Sequence, residues 1–156
     1  MSKTGVRTFE AAAFLRRNGA DVTRVRKLFR EEANEYKAKA DAVSQAEIYR
    51  NAFAISTCTS EDIQSPTVVG AQAANELLNI RGVKASFILT EYQNQIFVSA
   101  RSIDEINVQI IMEKMGGGGH LNIAGCQLEG VSISEGIGIL KGTLDKMIAE
   151  GDLVLE

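Results

Sequence analysis

Four consecutive glycines followed by the single histidine, Gly116-Gly117-Gly118-Gly119-His120, form the segment of this sequence best suited to chemistry. A glycine run lets a ligand approach the backbone closely, and successive N–H groups in a turn create a site for an anion such as phosphate. The imidazole of His120 would donate a further hydrogen bond. The run lacks the Lys-Ser/Thr of a Walker loop and the spacing of a dinucleotide-binding fingerprint, so a flexible hinge beside a surface histidine is the alternative interpretation.

A second candidate segment, Ser99-Ala100-Arg101-Ser102, lies where a predicted strand ends. Its guanidinium and hydroxyl groups both suit phosphate oxygens. An arginine at a strand end is commonly solvated or paired with a carboxylate, so the segment indicates little by itself. Because the glycine run follows only one helix later, Arg101 and Ser102 predict the other half of a phosphate clamp.

Residues for catalysis are missing from the sequence. One histidine without a cluster of Asp and His supplies neither a two-metal hydrolytic centre nor a Ser-His-Asp triad. Cys58 and Cys126 lie far apart without a metal-binding motif, which indicates a reducing compartment. Cys126, next to a predicted strand, is interpreted as a small buried residue and not as a nucleophile. The sequence therefore predicts binding residues, with no catalytic residue, no metal ligands and no bound cofactor within this chain.

Helical and strand patterns alternate around these candidate residues. In chain order, the patterns predict a helix over 8–17, a long helix with one apolar stripe over 23–43, a strand over 53–58, a helix from 67 that ends by 81, a hairpin of 85–92 and 96–100, a helix over 106–115, a strand over 125–128 and a last helix opened by a capping box at Ser132 and Glu135. This order predicts an α/β (α+β) fold, a small mixed sheet flanked by helices, with an N-terminal helical arm.

Length and composition are those of one globular domain with an arm. The 156 residues are 45% apolar and 24% charged, no apolar run reaches the roughly 18 residues that cross a bilayer, and the first residues lack an apolar signal core. Residues 1–50 contain 11 Lys and Arg against 7 Asp and Glu, whereas residues 51–156 contain 6 against 13. A weakly basic front half is typical of solvated helix faces. We therefore expect a cytoplasmic segment that does not contact a membrane.

The candidate residues also resemble a known family. Gly-Gly-Gly-Gly-His followed by Ala124-Gly125, and preceded by Ser-Ala-Arg-Ser and Asn107-Val108, is similar to the DHH-associated C-terminal domain of DHH phosphoesterases. The variant Val98-Ser-Ala-Arg-Ser with four glycines resembles the GdpP-type cyclic-di-AMP phosphodiesterases. Residues 7–21 resemble the segment in which the DHH domain of that family ends.

The resemblance implies three parts, with residues 1–20 at the edge of a DHH catalytic domain that this chain lacks, 21–51 as a linker helix and 52–156 as the DHH-associated substrate-binding domain. In the family, the DHH domain holds two Mn²⁺ ions, and the associated domain holds the substrate. Gly116 to His120, Arg101 and Ser102 would therefore bind substrate in a lobe that is inactive alone. The parent enzyme would hydrolyse cyclic di-AMP to pApA and be tethered to a membrane, with this lobe in the cytosol. Expected partners are cyclic di-AMP, pApA or a short oligonucleotide, and the DHH domain of the same parent chain.

Two other functions stay open at this point. The same lobe could serve a nanoRNase or a RecJ-like single-strand exonuclease, whose phosphate clamp would be nearly identical. The acidic charge of residues 51–156 argues mildly against a long polyanion. Alternatively, the apolar stripe over 23–43 could bind a partner protein or form a homodimer.

Overall fold

The computed structural model describes residues 4–103 and 105–155 and divides into two compact units, Met1–Ala33 and Asn34–Glu156. The first three residues of the predicted segment 1–20 lie outside the described residues. The helices are α1 (Val6–Arg17), α2 (Val22–Leu28), α3 (Ala33–Ser44), α4 (Pro66–Leu77), α5 (Val108–Lys114) and α6 (Ile133–Glu150). The strands are β1 (Glu47–Tyr49), β2 (Phe53–Cys58), β3 (Ala85–Tyr92), β4 (Gln95–Ser102), β5 (Gly118–His120) and β6 (Ile123–Glu129).

The first unit consists mainly of α1 and α2, and neither helix buries a residue. Asn18 caps the C-terminus of α1, and Gly19 follows with a φ of +91°, as expected of an Asn-Gly helix stop. Asp21 caps α2, because its carboxylate accepts the backbone N–H of Thr23 at 2.8 Å. Local capping therefore determines the ends of these helices.

The single helix predicted over 23–43 is wrong, because the chain leaves the helical conformation between α2 and α3. Only α3 buries residues, Ala38 and Ala42, so no packing surface supports a helix that is continuous through both segments. The charges also favour two separate helices, because basic residues stabilise a helix C-terminus and acidic residues a helix N-terminus. Arg26-Lys27 lies in the last turn of α2, and Glu31-Glu32 comes directly before α3. The apolar stripe that a homodimer would use is therefore interrupted.

The second unit is built on one mixed sheet of six strands in the order β1-β2-β3-β4-β6-β5. Strands β2 and β3 are parallel and joined by α4, and every other neighbouring pair is antiparallel. Helices α3 and α4 pack on one face and α5 and α6 on the other. The predicted α/β fold with a small mixed sheet between helices is confirmed.

Alternation along the strands fills a separate apolar core on each face. Phe87 and Leu89 of β3 point towards α5 and α6, whereas Ile88 points towards α3 and α4. The Phe87 ring packs edge-on against Phe53 with ring centroids 6.1 Å apart. Both faces of β3 are buried, which fixes the orientation of its side chains, whereas β4 buries only alternate residues, on the face of α5 and α6.

The hairpin between β3 and β4 establishes the register of the strands that follow. Its turn residues Gln93 and Asn94 have φ values of +52° and +60°, the backbone of a two-residue type I′ turn. Pairing runs from Tyr92 opposite Gln95 to Ala85 opposite Ser102 without interruption. The end of β4, where the candidate arginine lies, is thus placed by a turn seven residues away.

We expect Ser132→Ala to lower the free energy of unfolding by about 1 kcal/mol, because it removes a capping box at the start of α6. The Ser132 hydroxyl accepts the backbone N–H of Glu135 at 3.3 Å, and the Glu135 carboxylate accepts the backbone N–H of Ser132 at 2.7 Å. Bonds from the backbone and hydroxyl of Ser132 lower the pKa of Glu135. The carboxylate therefore contributes stability above its ordinary pKa, and this contribution disappears as the pH falls through the lowered value.

Urea unfolding at pH 7 and at about pH 3, below the ordinary Glu pKa, measures the difference, which should shrink in acid. Ser134→Ala is the matched control, since Ser134 is an exposed serine in the same first turn. Equal losses for the two variants at pH 7 would contradict the capping role.

Candidate functional site

Strands β4, β6 and β5 bring Arg101 and His120 onto the same face of the sheet. Arg101 lies opposite Ile123, and Ile123 lies opposite His120, so the three residues form one row across three strands. Directly opposed residues of antiparallel strands point to the same face. With strands about 4.8 Å apart, the backbones of Arg101 and His120 are separated by about 10 Å. Both side chains can therefore reach a ligand that lies over Ile123, whose side chain is 49% exposed between them.

The guanidinium of Arg101 is half-buried and held by backbone carbonyls. Its Nη1 donates to the carbonyl oxygen of Ala100 at 2.8 Å and to that of Ala124 at 3.5 Å. Burial lowers the pKa of Arg101, although a guanidinium stays charged in proteins. Within residues 4–103 and 105–155, no carboxylate forms an ion pair with it. A positioned, partly desolvated cation without a protein counter-ion suits an anionic ligand.

Ser102 lies on the opposite face of β4 from Arg101. It is only 5% exposed, it is paired with Ala85 in the strand register, and its hydroxyl donates to the carbonyl oxygen of Leu121 at 3.4 Å. The structure therefore does not bring Ser102 together with Arg101. Ser99 shares the face of Arg101, and the two-residue period of a strand is the sequence signal that would have identified it.

The glycine run forms an edge strand where the sequence predicted a turn. Gly118–His120 is β5, which pairs with β6 from Gly118 opposite Gly125 to His120 opposite Ile123. Before it, Gly116 follows the C-terminus of α5 with a φ of +83°, a conformation that favours glycine. A strand held in the sheet is not a flexible hinge.

Close packing on β6 explains two further glycines of the run. A Cβ atom on Gly117 would overlap the carbonyl oxygen of Gly125 and lie 2.7 Å from the Cα of Cys126. A Cβ atom on Gly119, whose φ is +148°, would lie 2.5 Å from the Cα of Ala124. Gly118 differs, since nothing lies within 4 Å of a Cβ built there. Structure alone therefore accounts for Gly117 and Gly119, but it does not account for Gly118.

An open groove of about 480 Å³ runs along the same sheet face. Its lining includes Ser99 and Gly125 of the sheet, Gly116 and Gly117 of the glycine run, and Thr67 at the start of α4. Phe97, Gln127 and Glu129 line it further along β4 and β6. The volume lies within the usual range for small-molecule sites.

No metal centre is present among residues 4–103 and 105–155. In that part of the chain, no three His, Cys, Asp or Glu side chains are grouped so that they could hold an ion, so a pair of manganese ions does not fit these residues. Burial raises the pKa of Cys126 to about 11, which keeps this thiol protonated at neutral pH. Across the same residues, no helix is both long enough and apolar enough to cross a membrane. The site as described can bind a ligand, and it contains no activated nucleophile.

Comparison with known proteins gives the following matches. Residues 51–150 match the family model described as the DHHA1 domain. The chain is 45% identical over 134 residues to the cyclic-di-AMP phosphodiesterase PdeA of Listeria monocytogenes, and this alignment covers 85% of the chain and 20% of PdeA. The chain is also 40% identical over 151 residues to the cyclic-di-AMP phosphodiesterase GdpP of Bacillus subtilis, and this alignment covers 96% of the chain and 23% of GdpP. The chain thus spans about a fifth of the length of these curated relatives.

Among solved structures, an exopolyphosphatase-related protein from Bacteroides fragilis aligns with a TM-score of 0.79. The alignment covers 92% of this chain and 44% of that protein at 21% sequence identity. This similarity supports the fold of helices and mixed sheet described above.

We expect Gly117→Ala to destabilise the chain by about 1–3 kcal/mol, the range for forced overpacking, because its Cβ would overlap the backbone of β6. Gly118→Ala is the matched control in the same run and should leave the free energy of unfolding nearly unchanged. Urea unfolding of both variants measures this difference. If Gly118→Ala were as destabilising as Gly117→Ala, the described packing of β5 on β6 would be incorrect.

Proposed function

Because this chain belongs to the DHHA1 domain family, we propose that it is the substrate-binding lobe of a phosphodiesterase that hydrolyses cyclic di-AMP to pApA. PdeA and GdpP, both cyclic-di-AMP phosphodiesterases, match 85% and 96% of the chain. The observation that carries the proposal is that Arg101 and His120 lie in one row beside a groove lined by glycines. Hydrolysis and two manganese ions are assigned to a DHH domain of the parent protein.

The proposal divides the chain by role. Residues 1–20 belong to the edge of the DHH domain, 21–51 connect the two domains, and 52–156 are the cytoplasmic lobe that holds substrate. The match of the family model to residues 51–150 supports the last of these assignments. The lobe binds and orients the dinucleotide and is inactive without the DHH domain.

Arg101 and His120 would hold a substrate phosphate from two sides. The fork of the guanidinium can donate two parallel hydrogen bonds to phosphate oxygens. The exposed imidazole of His120 donates a third from the edge strand, near the backbone of Gly118 and Gly119. Fixed donors that neutralise and orient a phosphate provide much of the catalysis in phosphoryl transfer, so a lobe without catalytic residues still contributes to the reaction.

Titration of the chain with pApA, followed by two-dimensional amide NMR, tests this role. We expect shifts at Gly116 to His120 and at Arg101, and a loss of affinity of about tenfold or more for Arg101→Gln and for His120→Ala, because each removes a hydrogen bond to a charged group. Arg81→Gln is the control, since Arg81 is an exposed arginine after α4. Equal affinity in all variants would refute the phosphate role.

Short RNA oligonucleotides extend the same titration. A lobe specialised for a dinucleotide gains no affinity beyond two nucleotides. A lobe that binds single strands gains affinity with length and loses it steeply with added salt. The second behaviour would favour an exonuclease as the parent protein.

We also expect no hydrolysis of cyclic di-AMP by the purified 156 residues with Mn²⁺, because residues 4–103 and 105–155 contain no group of metal ligands. Chromatography of the reaction over hours detects pApA or AMP. Manganese-dependent cleavage that copurifies with the chain and disappears on heat unfolding would contradict the assignment of hydrolysis to another domain.

A further inference from the structure

We propose that Phe97 and Gln127 form a nucleobase subsite on the same sheet face as Arg101 and His120, and that this subsite selects adenine. The inference rests on the proposed function for the phosphate end of the ligand. The base end rests on strand register, the groove and the charge at its far end.

The strand register sets the distance between the proposed base subsite and the phosphate site. Phe97 lies opposite Gln127, and Arg101 lies opposite Ile123, so the two rows are four residues apart on the same strands and face the same way. At about 3.4 Å per residue, the rows are roughly 14 Å apart. This distance is comparable to that between the phosphate and the far edge of the base in an extended nucleoside monophosphate.

The row between them leaves room for the sugar. It consists of Ser99, Gly125 and Gly118, which are paired across β4, β6 and β5. None of these residues has a side chain larger than a hydroxymethyl group, and both Ser99 and Gly125 line the groove. A ribose can therefore approach the backbone, and the Ser99 hydroxyl can bond to it.

Phe97 supplies a ring against which a base can stack. It is half-buried, lines the groove, and its ring lies 6.3 Å from that of Tyr92 at an interplanar angle of 50°. The other residues of β4 on this face, Gln95, Ser99 and Arg101, are polar. A positioned aromatic ring with an accessible side is the usual platform for a base.

Gln127 and Glu129 supply the polar groups at the far end of the groove. A glutamine amide can donate and accept together, which matches the N6 and N7 atoms of adenine. The Glu129 carboxylate, which accepts from Gln95 Nε2 at 3.0 Å, can accept a further bond from an exocyclic amine but repels phosphate. The ligand is therefore oriented with its phosphate at Arg101 and His120 and its base at Gln127.

Isothermal titration of the 156-residue chain with AMP, GMP and ribose 5-phosphate tests the subsite. We expect AMP to bind about tenfold more tightly than ribose 5-phosphate, since stacking supplies the difference. Phe97→Leu should remove most of this advantage, whereas Phe97→Tyr, which keeps the ring, should retain it. Gln127→Ala should abolish the preference for AMP over GMP. Gln109→Ala is the control, because Gln109 belongs to α5 on the opposite face.

The outcomes separate the subsite from the phosphate site. If the advantage of AMP over ribose 5-phosphate is absent, or survives both Phe97→Leu and Gln127→Ala, the base subsite is overturned. The proposed function stands in that case if His120→Ala still weakens ribose 5-phosphate and AMP alike. If His120→Ala changes neither affinity, the phosphate role fails, and with it the orientation on which the subsite depends.

Discussion

The register between β4, β6 and β5 is the constraint on which the candidate site depends. A slip of one residue in either pairing would move Arg101 or His120 to the opposite face of the sheet. Burial of Val98 and Ala100 beneath α5 and α6 fixes the parity of β4. At the edge, Gly117 and Gly119 let β5 approach β6 more closely than any side chain would permit. The same glycines that allow close packing therefore also align the histidine with the arginine.

Electrostatics on this face differ from those of the rest of the second unit. Residues 34–156 contain 9 Lys and Arg against 16 Asp and Glu, yet Arg101 is half-buried without an ion pair to any carboxylate of the described residues. Most other cations of the unit, such as Lys114 and Lys141, pair with surface carboxylates. Exposed pairs of that kind contribute little to stability, and Arg101 instead donates to the backbone carbonyls of Ala100 and Ala124. Under the proposed function, this leaves its charge to be neutralised by an anionic ligand.

Much of this fold is predictable from sequence, since its signals are local. The hairpin follows from two alternating segments around Gln93-Asn94, and α6 follows from the capping box at Ser132. The strand β5 could not be predicted, because a glycine run has no strand propensity and becomes a strand only where β6 provides a partner. Ser102 directly follows Arg101 on β4, so the alternation of a strand already predicts that the two side chains point to opposite faces. The charges of Glu31-Glu32 favour a helix start after them, whereas the apolar stripe favours one continuous helix.

The first unit shows a different balance between local and tertiary forces. Neither α1 nor α2 buries a side chain, and the aromatic and aliphatic residues on them are exposed, up to 74% for Val6 of α1 and 81% for Leu28 of α2. Isolated helices of 7 and 12 residues are marginal in water, because propensity rarely offsets the cost of nucleation. Caps at Asp21 and Asn18 define their ends but cannot supply a core. Under the proposal that residues 1–20 belong to the edge of a DHH domain, contacts with that domain would bury the apolar residues of α1 and supply the missing stability.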